Sequence, residues 1–254
     1  MVKKSCWLFV LGVTIISCHN TPVKPPTAGS TIPVENIDPT DEQAARRAKS
    51  EAYCQLHKIP VYHNPHAFFT DPAEAVTFRT TDEMIDRLYA LCYIGLKSEA
   101  MPEKDFYPLG GKWHIMDRLS PKERKYVLAA KPTDQQKSDA MWKYEDMHVL
   151  LWALGLVDSL DYPDHQCDVK NDIRLFFSIP ESALRQKMRP RSRKEILDQA
   201  DLILRLDWAC VDARMKKQPA PAGLNGDVVY ERHYVLNWLI TDGGQAWDDV
   251  TTDT

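Results

Sequence analysis

Residues 192–217 read SRKEILDQADLILRLDWACVDARMKK, and this stretch decides the fold. Ser192 and Glu195 form a capping box, in which the hydroxyl accepts one free amide hydrogen and the carboxylate accepts another. No Gly or Pro interrupts the run that follows. On a wheel of 100° per residue, Ile196, Ala200, Leu202, Ile203, Leu204, Leu206, Ala209, Cys210, Val211 and Ala213 spread over about two-thirds of the circumference. A helix so widely apolar belongs inside a helical core. Asp198, Asp201, Arg205 and Asp212 share one narrow stripe with Trp208 at its edge. That stripe reads as a solvated face carrying an Asp201–Arg205 pair one turn apart. Asp207 falls elsewhere, among Ile196, Ala200, Ile203 and Val211, where an unpaired carboxylate is costly. It is expected in a buried ion pair or at a pocket. Its candidate partners are Arg214 on the same side, and Arg232 or His233 from the next helix.

The same signals extend outward. Asp41 to Lys58 reads as a helix stopped before Pro60. Thr81 or Asp82 can cap a second helix through Lys97, with Ile85, Leu88, Leu91, Cys92 and Leu96 at helical spacing. Ser120-Pro121 opens another, to Ala130. Thr133 to Leu154 follows, ended near Gly155, and Asp227 to Ile240 is the last. Residues 59–79 and 156–179 read as mainly loop, with Ile173–Phe177 a short helix or strand. No alternating run reaches a convincing strand length. The expectation is an all-α fold: a single helical domain of six or seven helices over residues 39–254, with a short irregular C-terminal tail.

The amino terminus reads differently. Met1-Val2-Lys3-Lys4 is a basic start, and Cys6–Ile16 is an apolar run too short for a stable membrane span but suited to a signal peptide. It closes on Ile15-Ile16-Ser17-Cys18, which resembles the bacterial lipobox. Residues 1–17 are therefore expected to be a cleaved lipoprotein signal peptide. Cys18 is the expected lipidation site, and two or more acyl chains suffice for stable anchoring. Residues 18–38 hold four prolines among small polar residues and read as a disordered tether. His19 follows the lipidated position, and by resemblance to lipoprotein sorting rules this favours the outer membrane. The expected address is the bacterial cell envelope, with the membrane reached through the Cys18 lipid.

Composition narrows the function. The chain has 32 basic against 36 acidic residues, a net charge of −4, and no basic footprint of the kind a nucleic-acid binder shows. Cys54, Cys92, Cys167 and Cys210 match no zinc or redox spacing, and a disulfide among them is not expected. Glu145, His148 and Trp152 share one helix face, as do Tyr230, His233 and Asn237. From these faces a candidate pocket is assembled of Trp142, Glu145, His148, Trp208, Glu231, His233 and Trp238, on three helices. His57, His63 and His66 lie around a loop without defined ligand geometry, and Asp164-His165-Gln166-Cys167-Asp168 reads as a solvated acidic turn. No metal or cofactor is expected. Nucleophile-elbow, phosphate-loop, metalloprotease and dinucleotide motifs are all missing.

Several long strings carry a family resemblance. They are Arg193–Ala209, Pro219-Ala-Pro-Ala-Gly-Leu224, Val229-Tyr-Glu-Arg-His-Tyr-Val-Leu-Asn-Trp-Leu239 and Trp247-Asp-Asp-Val-Thr-Thr-Asp-Thr254, with Trp142-Lys-Tyr-Glu145 and Leu150-Leu-Trp-Ala-Leu-Gly155 upstream. Together they resemble the bacterial family termed domain of unknown function 4272, over residues 43–254 and most closely near the C-terminus. This chain is then identified as a lipoprotein member, with lipobox and tether added. The resemblance implies no mechanism. The expected function is that of a membrane-anchored, non-catalytic helical domain binding a protein or small ligand in the envelope. The alternative is an enzyme, such as a hydrolase, working through a Glu/His/Asp pocket.

Overall fold

The computed structural model describes residues 39–63, 69–240 and 245–252. The expected signal peptide, Cys18, the tether and His66 lie outside the described residues. In chain order the helices are α1 (Asp41–Leu56), α2 (Thr81–Ser98), α3 (Glu103–Lys112), α4 (Ile115–Arg118), α5 (Pro121–Leu128), α6 (Asp134–Ala153), α7 (Val169–Ser178), α8 (Glu181–Lys187), α9 (Arg193–Met215) and α10 (Gly226–Ile240). Short 3-10 turns occupy Pro221–Gly223 and Trp247–Asp249. There is no strand among the described residues, so the all-α expectation is met. Among the described residues the helix number is corrected from six or seven to ten.

Five helices start with the same chemistry. Thr40, Thr80, Ser120, Thr133 and Ser192 each accept an amide hydrogen from three residues on, and Gln43, Glu83, Glu123, Gln136 and Glu195 reach back to the cap amide. Each such cap stabilises its helix by about 1 kcal/mol. The three helices absent from the sequence reading lack these marks. α3 begins at Pro102 with no side-chain cap and contains Pro108, α4 is four residues long, and α8 starts after Pro180 with no side-chain cap. Their helicity comes from packing onto α2 and α7.

The long helices pack in series: α2 against α6, α6 against α10, α10 against α9, and α9 against α1. α9 is therefore covered on two sides, which accounts for its broad apolar circumference. Its polar stripe is covered too, contrary to the solvated face expected. Asp201 and Arg205 are buried, paired at 2.8 Å, with the Thr70 hydroxyl donating to Asp201 at 3.0 Å. The reason is α1, which lies along that stripe and brings Lys49 to Asp198 at 2.7 Å.

α2 and α6 approach each other closely. A Cβ on Gly95 would lie 2.3 Å from the Tyr144 ring, so only glycine admits that ring. α6 ends at Gly155 with φ +70°, where a Cβ would meet the Arg189 carbonyl oxygen at 2.0 Å. The chain returns there, and the Arg189 and Arg191 amides donate to the Leu154 and Ala153 carbonyls. These bonds occupy helix-end acceptors that would otherwise be orphaned. Cys54, Cys92, Cys167 and Cys210 are free thiols. No helix among the described residues is long and apolar enough to cross a membrane.

Candidate functional site

The loop between α6 and α7 crosses the end of α10 and leaves an open cleft of about 250 Å³. Its floor is built by His148, Asp172, Arg232 and the Cys167 thiol, and Glu145 lies buried behind them. Glu145 and His148 lie one turn apart on α6 and so project toward the same loop. Arg232 comes from α10. Asp168 caps α7, its carboxylate accepting the Asn171 amide hydrogen at 3.1 Å, and this fixes the first turn that presents Asp172. Cys167 precedes that cap.

Glu145 is fully buried and joins three elements. Its Oε1 accepts from Arg232 Nε at 2.7 Å and its Oε2 from the Cys167 amide at 2.9 Å. Arg232 Nη1 also donates to the Asp161 carbonyl at 2.5 Å, tying the other end of the loop. One ion pair thus clamps both ends of the cleft's outer wall. Beside it, His148 Nδ1 lies 2.7 Å from Asp172 Oδ2. Asp172 is 1% exposed, and its second oxygen, Oδ1, is buried without a hydrogen-bond partner. The Cys167 thiol donates weakly to the Tyr144 carbonyl at 3.5 Å. Burial pushes this thiol well up, and the carboxylates of Glu145 and Asp172 push it further. Sγ of Cys167, a ring nitrogen of His148 and a carboxylate oxygen of Asp172 all fall within 4.8 Å of one another.

The seven residues expected to form one pocket do not converge. α6, α9 and α10 are neighbours, as expected, yet the polar side chains separate into independent pairs. Glu231 and Asp146 flank Lys143 at 2.6 and 2.9 Å, and the Lys143 ammonium sits over the Tyr234 ring. His233 Nδ1 contacts Asp207 Oδ2 at 2.8 Å, and both are buried. Trp208 stacks on Tyr62 at 5.1 Å, Trp238 meets Trp247 edge-on, and Trp142 is half-buried on α6. Of the seven, only His148 lines the cleft. The cause is helical rotation: Glu231, Arg232 and His233 are consecutive, so they point about 100° apart and meet three different partners.

Asp207 is therefore paired with His233, not with Arg214 or Arg232. Arg214 is exposed near the end of α9, and Arg232 is taken by Glu145. Two cleft residues escaped the sequence reading. Asp172 sits in a segment read as loop, although Asp168 four residues earlier is a fair N-cap signal. The sequence reads Cys167 as part of a solvated acidic turn, but its half-buried thiol faces inward against Glu145 and Asp172.

In comparison with known protein families, one described as "Domain of unknown function (DUF4272)" aligns with residues 46–250. No curated protein and no solved structure matches the chain. The matched span covers well over half of the sequence and includes every residue of the cleft, and the protein belongs to the domain of unknown function 4272 family.

Proposed function

We propose that the protein is a lipid-anchored domain of the bacterial cell envelope that binds a small polar ligand in the cleft between α6, α7 and α10, without turning it over. The observation that carries this reading is the clamped cleft itself. Its floor is preorganised by buried pairs, Glu145–Arg232 and His148–Asp172, while its mouth is open and lined by Asp158, Ser159 and Asp168. Concave sites with a few fixed polar groups are what small ligands need. The Ile15–Cys18 string supports the anchor and the address.

The catalytic alternative has one feature in its favour, the His148–Asp172 pair beside a thiol. Burial and two flanking carboxylates hold that thiol protonated, which makes it a poor nucleophile. Binding is the better reading.

Two measurements test the proposal. Full-length protein purified from its native envelope is examined by native mass spectrometry. A bound species should be present in the parent and lost in Asn171→Trp, which fills the mouth from an exposed position. A parent carrying nothing, or a ligand retained by the blocked variant, contradicts the cleft reading. In cells, Cys18→Ala should abolish lipid labelling and precursor maturation, and normal labelling of that variant ends the anchor proposal.

A further inference from the structure

Three side chains with donor atoms of metal-ligand type converge on the floor of the cleft: Cys167 Sγ, His148 and Asp172. They come from two helices and a loop, yet they fall within 4.8 Å of one another. The Asp172 carboxylate is 1% exposed, and its Oδ1 is a buried acceptor with no donor. Such an orphan is costly unless something positive occupies the space beside it. Among the described residues His148 contacts the other oxygen, Oδ2, and no group donates to Oδ1. Arg232, the cation in the same wall, is already held by Glu145 and the Asp161 carbonyl.

We infer that His148, Cys167 and Asp172 form a binding site for a divalent cation of the zinc class, which is the small ligand, or the anchor for one, in the cleft. This rests on the binding reading proposed above. One thiolate, one imidazole and one carboxylate suit zinc and its neighbours in the first transition series, whereas magnesium and calcium prefer oxygen alone. Zinc bonds of about 2.0–2.3 Å place tetrahedral ligand atoms about 3.3–3.7 Å apart. The widest pair of donors therefore needs to close by about 1 Å, and the 2.7 Å contact between His148 Nδ1 and Asp172 Oδ2 to open by about half an ångström, both a matter of side-chain rotation. Charge also balances. On binding, the Cys167 thiol loses its proton to solvent and its sulfur bonds the cation. Thiolate and Asp172 then neutralise the dication, leaving Glu145 and Arg232 to neutralise each other. Glu145 accepts the Cys167 amide hydrogen and so orients the sulfur from outside the ligand set. The fourth position faces the open cleft, where water or a donor atom of a larger ligand completes the shell. Asp158, Asp161 and Asp168 around the mouth favour approach of a cation.

The test uses full-length protein, reduced and stripped with a chelator, titrated with cobalt(II) and then with zinc(II). One equivalent of cobalt should produce tetrahedral visible bands and a sulfur-to-cobalt charge-transfer band, and one equivalent of zinc should displace both. The melting temperature should rise with zinc. Cys167→Ser should lose the charge-transfer band, and Asp172→Asn should bind at least tenfold more weakly. Circular dichroism confirms that both variants are folded. Cobalt spectra without a sulfur band, or variants that bind like the parent, overturn the inference. The outcomes also separate the two claims. A cation-free protein whose cleft still retains an organic species defeats the metal site and leaves the binding reading intact. A protein with neither defeats both.

Discussion

Removing Glu145 should cost more than any other single truncation at the cleft. Its carboxylate is fully buried, it accepts from Arg232 at 2.7 Å and from the Cys167 amide at 2.9 Å, and Arg232 is itself only 3% exposed. Glu145→Ala leaves that guanidinium charge in the core without its counter-ion. Breaking a buried pair in this way typically costs about 3–5 kcal/mol. At about 2–4 °C per kcal/mol for a domain of this size, the melting temperature should fall by about 6–20 °C. The loss of an ordinary hydrogen bond alone is worth about 0.5–1.5 kcal/mol, so the two mechanisms are well separated. Thermal unfolding followed by circular dichroism gives the first measurement, and hydrogen exchange at the Cys167 amide gives a local one. That amide should exchange faster in the variant because its acceptor is gone. Replacing both partners, Glu145→Leu with Arg232→Met, should recover part of the loss, since an apolar pair carries no stranded charge. A melting temperature within about 4 °C of the parent for Glu145→Ala would refute the clamp, as would a double variant no better than the single one.

Other outcomes follow from the packing. Gly95→Ala should destabilise by about 1–3 kcal/mol despite the better helix propensity of Ala, because its Cβ overlaps the Tyr144 ring; a urea midpoint equal to or above the parent's contradicts the close approach of α2 and α6. Asp207→Ala strands the buried His233 and should cost about 1–3 kcal/mol, whereas Arg214→Ala, at an exposed site, should stay within about 0.5 kcal/mol. Equal midpoints for these two variants would show the wrong partner assignment. Burial and the neighbouring Glu231 hold the Asp146 carboxyl well above the ordinary carboxylate range, with Lys143 opposing. A carboxyl raised in the folded state adds stability that is present below its unfolded value of about 3.9 and lost as pH climbs through the folded one. The stability of Asp146→Asn relative to the parent should therefore rise with pH above about 4. A flat difference across that range would show no raised carboxyl.

How much of this was legible in the sequence depends on the range of each interaction. The starts of α1, α2, α5, α6 and α9 are written within four residues, a hydroxyl and an amide or carboxylate acceptor three positions later, and all five lie within a residue or two of where the sequence puts them. The stop at Gly155 is equally local, because glycine readily takes the left-handed conformation, φ +70°, in which a helix ends. α3 and α4 were illegible for the converse reason: with Pro102, Pro108 and a pair of glycines, their propensity is poor, and contact with α2 holds them. The buried polar residues occupy a middle ground. Helical phase alone put Asp207 indoors, yet it also put Asp201 and Arg205 outdoors, since a wheel knows one helix and not the α1 that covers its far side.

The cleft lies beyond both kinds of signal. Its groups are Glu145 and His148 on α6, Cys167 and Asp172 twenty-odd residues later, and Arg232 some sixty further on, so no periodicity links them. What assembles them is the clamp: one carboxylate holding an arginine with one oxygen and a loop amide with the other. The wheel places Glu231, Arg232 and His233 on different faces, but it cannot tell which neighbour each face meets. Packing order decides that, with α10 between α6 and α9, so that Arg232 turns to Glu145 and His233 turns away to Asp207. The residue that completes the floor of the cleft is therefore chosen by which helices flank α10, and only secondarily by its own chemistry.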